Sequence, residues 1–175
     1  MTCWYFAYGS NMETATLRGR RGVEVRQAVP ARVSGWRIVF DKPGIVSVGH
    51  GFGNIVEDPA AAVLGVAYEL PEAEMEHLDL TEGVLIGNYR RVEVSAELLG
   101  DGRRVGAWTF ASEKRDPALE PSTRYMACVV AGALEHGLPA EYVEWLRGVP
   151  AVVESAEAKA FRPIMDDALR RRRRG

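Results

Sequence analysis

Apolar residues in the first two thirds of the chain fall in short runs that favour β-strands. Aromatic and β-branched residues fill these runs, and glycine, proline or polar residues bound them. Gly100, Asp101 and Gly102 separate the last two runs, which is typical of a β-hairpin. The pattern predicts strands at residues 4–8, 25–40 (interrupted at Pro30 and Gly35), 62–70, 89–98 and 103–112, with a glycine-rich loop over 42–57.

Helical spacing is concentrated after residue 112. Ser122 is a suitable N-cap for one helix, and Gly137 is a suitable residue to end it. The predicted helices are residues 12–18, 72–80, 123–136, 139–147 and 156–169, the last of them broken at Pro163. Because the strands form hairpins and not repeated strand-helix-strand units, the predicted class is α+β with a mostly antiparallel, curled sheet.

A chain of 175 residues, 47% of them hydrophobic, is long enough to bury the core of one domain. We expect that domain to span residues 1–169, followed by an arginine-rich tail at 170–175. The N-terminal apolar run is too short for a signal peptide or a spanning helix, which predicts a cytoplasmic protein without a membrane partner. Cys3 and Cys128 stand far apart and outside any CxxC pattern, which favours two reduced thiols.

The net charge is −2, but the charged residues are distributed unevenly along the chain. Residues 170–174 are all arginine, so the rest of the chain is more acidic than the net charge suggests. An acidic surface does not attract nucleic acid, and a solvated helix end is the simpler interpretation of the tail. Nucleic acid is therefore not an expected partner, and a homodimer is left open.

Most catalytic motifs are absent from the sequence. His50, His77 and His136 lack the spacing of metal ligands, and no phosphate-binding loop is present, so we expect neither a metal nor another cofactor. Ser10 follows a strand at a sharp turn, as in a nucleophile elbow, but Tyr8 and Met12 stand where that motif requires glycine. A capping or backbone-positioning role is the favoured interpretation of Ser10.

Three separated motifs nevertheless occur together. They are YFAYGSNM at residues 5–12, EGVLIGNY at 82–89 and PSTRY at 121–125, with GNIVEDPAAAVLGVAYEL at 53–70 between the first two. In this order they resemble the gamma-glutamylcyclotransferase family, and residues 137–149 resemble its C-terminal helices. The resemblance implies a small mixed, mostly antiparallel β-barrel flanked by helices.

The resemblance also implies an activity and a set of site residues. Enzymes of this family release 5-oxoproline from small gamma-glutamyl compounds, because the substrate's own α-amine attacks its γ-carbonyl and expels the attached amine. The acid/base role of the family's EG motif falls on Glu82. Substrate binding is implied for Phe6, Ala7, Tyr8, Gly9, Ser10, Asn11, Tyr89 and Tyr125.

These residue types suit the chemistry. At neutral pH the attacking amine is an ammonium ion, so a base such as Glu82 must remove a proton before the nitrogen can attack. We expect Val84, Leu85 and Ile86 to surround that carboxylate with apolar groups, in which it accepts a proton more readily. Main-chain N–H groups in the turn at Gly9 would stabilise the negative oxygen of the intermediate.

Other interpretations remain open at this point. Arg124 is a candidate partner for the substrate's α-carboxylate, and Trp108 or Phe110 for the pocket wall. The donor could be a gamma-glutamyl amino acid, a gamma-glutamylamine or a biosynthetic intermediate. Asn11 argues against glutathione, because the glutathione-directed branch of the family typically carries YGSL. Two alternatives to cyclotransfer are serine-type hydrolysis through Ser10 and a non-catalytic binding module.

Overall fold

Five strands form a closed barrel in the order β1-β3-β2-β4-β5. A computed structural model describes residues 1–171, with side chains described through residue 167. The strands are β1 Thr2–Ala7, β2 Gln27–Pro43, β3 Gly51–Pro71, β4 Arg90–Leu98 and β5 Arg104–Ala111. All strand pairs are antiparallel except β1 with β5. The predicted α+β class with a mostly antiparallel barrel is therefore confirmed.

Within residues 1–171, four α-helices accompany the barrel. They are α1 Glu72–Glu82, α2 Thr123–Glu135, α3 Ala140–Arg147 and α4 Ala156–Arg171. Ser122 caps α2 as predicted, because its hydroxyl accepts a hydrogen bond from the Tyr125 N–H at 3.1 Å. Gly137 follows the end of α2 with a φ of 66°, which suits a helix stop.

The hairpin of β2 and β3 is longer than predicted, and much of the loop expected over residues 42–57 is strand. Gly51 lies in β3 because the strands approach closely: a Cβ there would lie 2.1 Å from the Phe40 carbonyl oxygen. Pro30 and Gly35 do not interrupt β2. The Pro30 carbonyl still accepts a hydrogen bond from Leu99, and Gly35, with a φ of 84°, occupies a register shift in the pairing.

Two helix predictions are also corrected. The helix expected over residues 12–18 is instead a 3₁₀ turn, Ser10–Met12, followed by a π-type turn, Ala15–Arg20. Pro163 does not break α4. The carbonyl that loses its helical hydrogen bond to a proline belongs to Lys159, whose side chain is exposed, so water can satisfy it on that face.

The core positions the turn that follows β1. Successive residues of β1 point to opposite sides, so Phe6 packs in the barrel interior while Ala7 faces the cluster shared with the helices. Helix α2 presses on the Ser10–Met12 turn, where a Cβ at Gly132 would lie 2.5 Å from Met12 main chain. This close packing fixes the turn at the end of β1.

The arginine-rich tail predicted at residues 170–175 begins within α4, and the positions after Arg171 lie outside the described residues. None of the helices within residues 1–171 combines the length and the apolar composition needed to cross a membrane.

Candidate active site

A cavity of about 250 Å³ lies where the end of β1, the end of α1 and the start of α2 meet. The glycine-bearing segment before β3 and one face of α4 complete its walls. Seven of the predicted site residues, from three separate motifs, line it: Tyr8, Gly9, Ser10, Asn11, Glu82, Tyr89 and Tyr125. The fold thus collects the three sequence motifs in one place.

Two of the predicted substrate-binding positions, Phe6 and Ala7, do not lie on the cavity wall. Their side chains are 0% and 1% exposed and belong to the two hydrophobic clusters, away from the cavity wall. The reason is the period of two in a β-strand, which buries both positions before the chain reaches the turn at Gly9. They support the loop from behind and do not line the cavity.

Glu82 is the last residue of α1 and is nearly buried. Gly83, with a φ of 71°, ends the helix and reverses the chain. The Glu82 Oε1 atom accepts a hydrogen bond from Asn11 Nδ2 at 3.0 Å and pairs with an Arg21 Nη2 at the same distance. Asn88 Nδ2 donates to the Glu82 carbonyl oxygen at 2.8 Å, which fixes the main chain.

The surroundings of the Glu82 carboxylate are polar, contrary to the sequence expectation. Leu85 and Ile86 are 82% and 63% exposed and point away from the protein, and Val84 is half-buried. Left-handed glycines at both ends of the Val84–Ile86 turn project it outwards. The carboxylate is therefore held by an arginine and an amide and not by apolar groups.

Asn11 connects Glu82 to a tyrosine that the sequence did not single out. Its Nδ2 also donates to the Tyr5 hydroxyl oxygen at 2.9 Å. Burial, and to a smaller extent the Glu82 charge, raises the pKa of Tyr5, so this hydroxyl is neutral. The Asn11 Oδ1 atom is buried and has no hydrogen-bond partner within the described part of the chain. A buried acceptor without a donor is costly and indicates a place for a ligand N–H.

Tyr125 joins the first turn to β3. Its hydroxyl oxygen accepts hydrogen bonds from the Gly53 N–H, at 3.0 Å, and from the Ser10 main chain. A Cβ at Gly9 or at Gly53 would lie 2.6 Å from that oxygen, so only glycine leaves room for the hydroxyl at either position. Burial raises the pKa of Tyr125 to about 12, which keeps the hydroxyl protonated at neutral pH.

The other two cavity tyrosines are anchored to main chain. Tyr8 donates to the Phe110 carbonyl oxygen at 2.6 Å, and Tyr89 donates to the Gly53 carbonyl oxygen at 2.7 Å. Burial raises the pKa of both hydroxyls well above the ordinary value. With their hydroxyls engaged, these side chains act as rigid walls.

Positively charged residues that were not predicted from the sequence, among them Lys42 and Arg21, line the cavity. Lys42 is 1% exposed; its Nζ donates to Asn88 Oδ1 and lies 4.4 Å from the centre of the Tyr89 ring. Burial lowers the pKa of Lys42 to about 8, and the Glu82 charge partly opposes that shift. Arg124, proposed from the sequence, lies at the rim with an exposed side chain.

Some of these cavity residues could not be predicted from the sequence. Lys42 and Arg21 lie outside every motif and reach the site only through the barrel topology. Asn88, by contrast, stands inside the EGVLIGNY segment and could have been included. Of the two aromatic candidates on β5, Phe110 lines the cavity, whereas Trp108 packs beside Arg91.

Neither a metal site nor a serine-histidine pair is formed by the described side chains. No three of the described His, Cys, Asp and Glu side chains are grouped so that they could hold a metal ion. The ring nitrogens of the three histidines contact main-chain oxygens, the Tyr68 hydroxyl or, for His50 Nε2 at 4.0 Å, the Glu154 carboxylate. None of them is hydrogen-bonded to Ser10 in residues 1–167.

Comparison with known proteins gives consistent matches. The model of the AIG2-like family matches residues 62–146. The gamma-glutamylcyclotransferase of Bos taurus is 32% identical over 148 residues, 83% of this chain and 77% of that protein. The Homo sapiens protein of the same name is 31% identical over the same shares. A solved structure of a gamma-glutamyl cyclotransferase has a TM-score of 0.75 at 25% identity and covers 98% of this chain and 99% of its own.

Proposed function

The chain belongs to the gamma-glutamylcyclotransferase family, and on this basis we propose that it releases 5-oxoproline and a free amine or amino acid from a gamma-glutamyl compound. The chain is thus an enzyme of the cyclotransferase type. In the proposed reaction Glu82 is the general base and acid, and the turn from Tyr8 to Asn11 binds the glutamyl group.

The main support is that the Glu82 carboxylate lies beside the side-chain amide of Asn11, whose oxygen is a buried acceptor without a hydrogen-bond donor in the described residues. Glu82 Oε1 lies 3.0 Å from Asn11 Nδ2, and the Oδ1 atom of the same amide is buried without a donor. The α-ammonium of a gamma-glutamyl substrate carries three N–H donors and a positive charge. It can donate to Asn11 Oδ1 and to Glu82 together, which satisfies the first and neutralises the second.

Proton transfer then starts the reaction. Glu82 removes a proton from the α-ammonium, which gives the nitrogen a lone pair, and the nitrogen attacks the γ-carbonyl carbon of the same molecule. A five-membered ring closes, and the bond from that carbon to the departing nitrogen breaks. Glu82, now a carboxylic acid, returns the proton that it took to the departing amine, and the surplus proton of the ring nitrogen also passes to that amine, which leaves as an ammonium ion. No covalent bond between protein and substrate is formed.

In the proposed reaction, a main-chain N–H group stabilises the negative oxygen of the tetrahedral intermediate. In the turn after Gly9, the Ser10 N–H donates to the Tyr125 hydroxyl and the Met12 N–H donates to the Gly9 carbonyl oxygen, so the proposed donor to the negative oxygen is the Asn11 N–H. The packing of α2 and the Tyr125 hydrogen bond hold this turn, so the donor needs little reorganisation during the reaction. Gly9 has no side chain between the substrate and this main chain. Backbone donors persist in side-chain variants, so we expect Ser10→Ala to reduce turnover less than Glu82→Gln.

The experiment is a panel of gamma-glutamyl amino acids and gamma-glutamylamines, assayed for 5-oxoproline by mass spectrometry. Glu82→Gln removes the proton acceptor and keeps the size of the side chain, so kcat should fall by about 10²- to 10⁴-fold. Glu76→Gln is the matched control, because Glu76 lies on the same helix with an exposed side chain. We expect that variant to keep full activity.

The other outcomes separate the alternatives. Glu82→Gln with turnover close to that of the unsubstituted protein would overturn the assignment of Glu82. Free glutamate together with an adduct on Ser10 would indicate serine-type hydrolysis instead. No release of 5-oxoproline from any donor would overturn the proposed reaction as a whole.

A further inference from the structure

Lys42 is a buried ammonium group that has no carboxylate partner among the described residues. Lysine is rarely buried unless its charge is paired, because removal of the ammonium from water is costly. Among the described side chains, Lys42 contacts the Asn88 amide oxygen and the face of Tyr89, and it forms no ion pair. The Nζ atom therefore keeps N–H donors for the cavity that it lines. A costly group of this kind indicates a functional role.

Asn88 connects this ammonium to the main chain of the candidate base. Its Oδ1 atom accepts from Lys42, and its Nδ2 atom donates to the Glu82 carbonyl oxygen at 2.8 Å. The Ser112 hydroxyl donates to the Asn88 carbonyl oxygen at 2.7 Å, which anchors the residue. Lys42 and Glu82 thus line one cavity, while the Glu82 carboxylate is occupied by Asn11 and Arg21.

Cyclotransfer moves two protons from the attacking nitrogen to the departing nitrogen. The α-nitrogen enters as an ammonium and leaves as a lactam N–H, so it loses two protons. The departing nitrogen enters as an amide N–H and leaves as an ammonium, so it gains two. A single carboxylate holds one proton at a time, and an amide nitrogen must be protonated as its bond to carbon breaks.

We propose that Lys42 is a second catalytic residue, the general acid that protonates the departing nitrogen as the bond between that nitrogen and the γ-carbon breaks. This role rests on the cyclotransferase reaction proposed above. Glu82 first takes one proton from the α-ammonium, and Lys42 then gives one to the departing nitrogen. The ring nitrogen returns its surplus proton to the neutral Lys42 amine, and Glu82 passes its proton to the released amine. Both residues recover their starting charge without an outside reactant.

The surroundings of Lys42 give it a pKa that suits a residue that must release a proton and take one up again. Burial lowers the pKa of Lys42 to about 8; the Glu82 carboxylate raises it, and the nearby Lys114 ammonium lowers it further. The group is therefore charged at neutral pH and still releases its proton far more readily than a solvated lysine does. The ring of Tyr89 lies 4.4 Å from Lys42 Nζ, and the Tyr89 hydroxyl donates to the Gly53 carbonyl oxygen and stays neutral.

The test compares two donors of nearly equal size with leaving amines of different basicity. These are gamma-glutamyl-ethylamine and gamma-glutamyl-trifluoroethylamine. Trifluoroethylamine is a much weaker base, so its departure needs less protonation. For Lys42→Met we expect kcat on the ethylamine donor to fall by about 10²-fold or more, within the usual contribution of a general acid. On the trifluoroethylamine donor the same variant should lose far less, about tenfold at most.

Matched variants separate acid catalysis from charge and from folding. Lys42→Arg keeps a positive charge but does not release a proton, so we expect it to behave as Lys42→Met does. Lys114→Met removes an exposed charge near the site, and we expect it to keep full activity while the alkaline limb of the rate profile moves to higher pH. A thermal unfolding curve checks that Lys42→Met is folded. If it is not folded, Lys42→Gln is tested in its place.

Equal losses on both donors, or full rescue by Lys42→Arg, would overturn the role of Lys42 as an acid and leave the proposed function intact. In that case the lysine acts only as a charge. If the unsubstituted protein formed no 5-oxoproline from any donor, the proposed function would fail and the inference with it.

Discussion

The hydroxyl of Tyr125 lies between two glycines, and this arrangement can be tested by substitution of Gly9. A Cβ at position 9 would lie 2.6 Å from the Tyr125 hydroxyl oxygen, well inside van der Waals contact. The oxygen cannot move aside freely, because it accepts the Gly53 N–H at 3.0 Å and a second hydrogen bond from Ser10. Gly9→Ala therefore forces either the turn or the tyrosine out of place.

The size of the effect follows from these contacts. Overpacking of a well-filled site costs about 1–3 kcal/mol, and we expect Gly9→Ala to destabilise the protein by that amount. Tyr125→Phe removes the oxygen and leaves buried N–H groups without an acceptor, at a cost of about 1–3 kcal/mol. In the double variant the nearest ring atom, Cζ, lies 3.8 Å from the new methyl, which is an ordinary contact. Gly9→Ala should then cost close to nothing.

The assay is urea unfolding of the four proteins in this double-mutant cycle. We expect the two substitutions to be non-additive by about 1–3 kcal/mol, with the double variant as stable as Tyr125→Phe alone. Gly19→Ala is the control, since a Cβ there meets no atom within 4 Å. Additive costs for Gly9→Ala and Tyr125→Phe would refute the assignment of the clash to the hydroxyl.

Three further predictions concern the neighbouring residues. Asn11→Ala removes a hydrogen bond to the Glu82 carboxylate worth about 1.5–3 kcal/mol, so kcat/KM in steady-state kinetics should fall at least about tenfold; an unchanged value would contradict the role of Asn11. Gly83→Ala places a side chain at a φ of 71° and should lower the free energy of unfolding by about 1–2 kcal/mol in urea titrations. Because the pKa of Lys42 is about 8 in the folded protein against an ordinary 10.5, the unfolded chain binds more protons between these values. The stability of the unsubstituted protein should therefore rise relative to Lys42→Met from about pH 8 to 10.5, and parallel pH curves would contradict this.

The β-barrel was predictable as far as local patterns describe it. The hairpin of β4 and β5, the cap at Ser122 and the helix stop at Gly137 each follow from a few adjacent residues. The length of the β2 and β3 hairpin was not predictable in this way. Glycines such as Gly51 are needed there because another main chain passes close by. The sequence alone does not distinguish them from glycines in loops.

The candidate site was predictable only as far as the motifs extend. The motifs place Glu82 and the turn at Gly9 correctly in one cavity, although they include Phe6 and Ala7, which the strand buries. The charged neighbours of Glu82 come from positions that no local pattern connects to it. Arg21, for example, reaches the carboxylate only because the turn after β1 packs against the end of α1.

The central claim is that the substrate's own amine, and not water, attacks the γ-carbonyl. Turnover of a gamma-glutamyl donor in water enriched in heavy oxygen, followed by mass spectrometry of the product, tests it most directly. We predict 5-oxoproline without heavy oxygen, in an amount equal to the released amine. Glutamate that carries one heavy oxygen atom would contradict the claim.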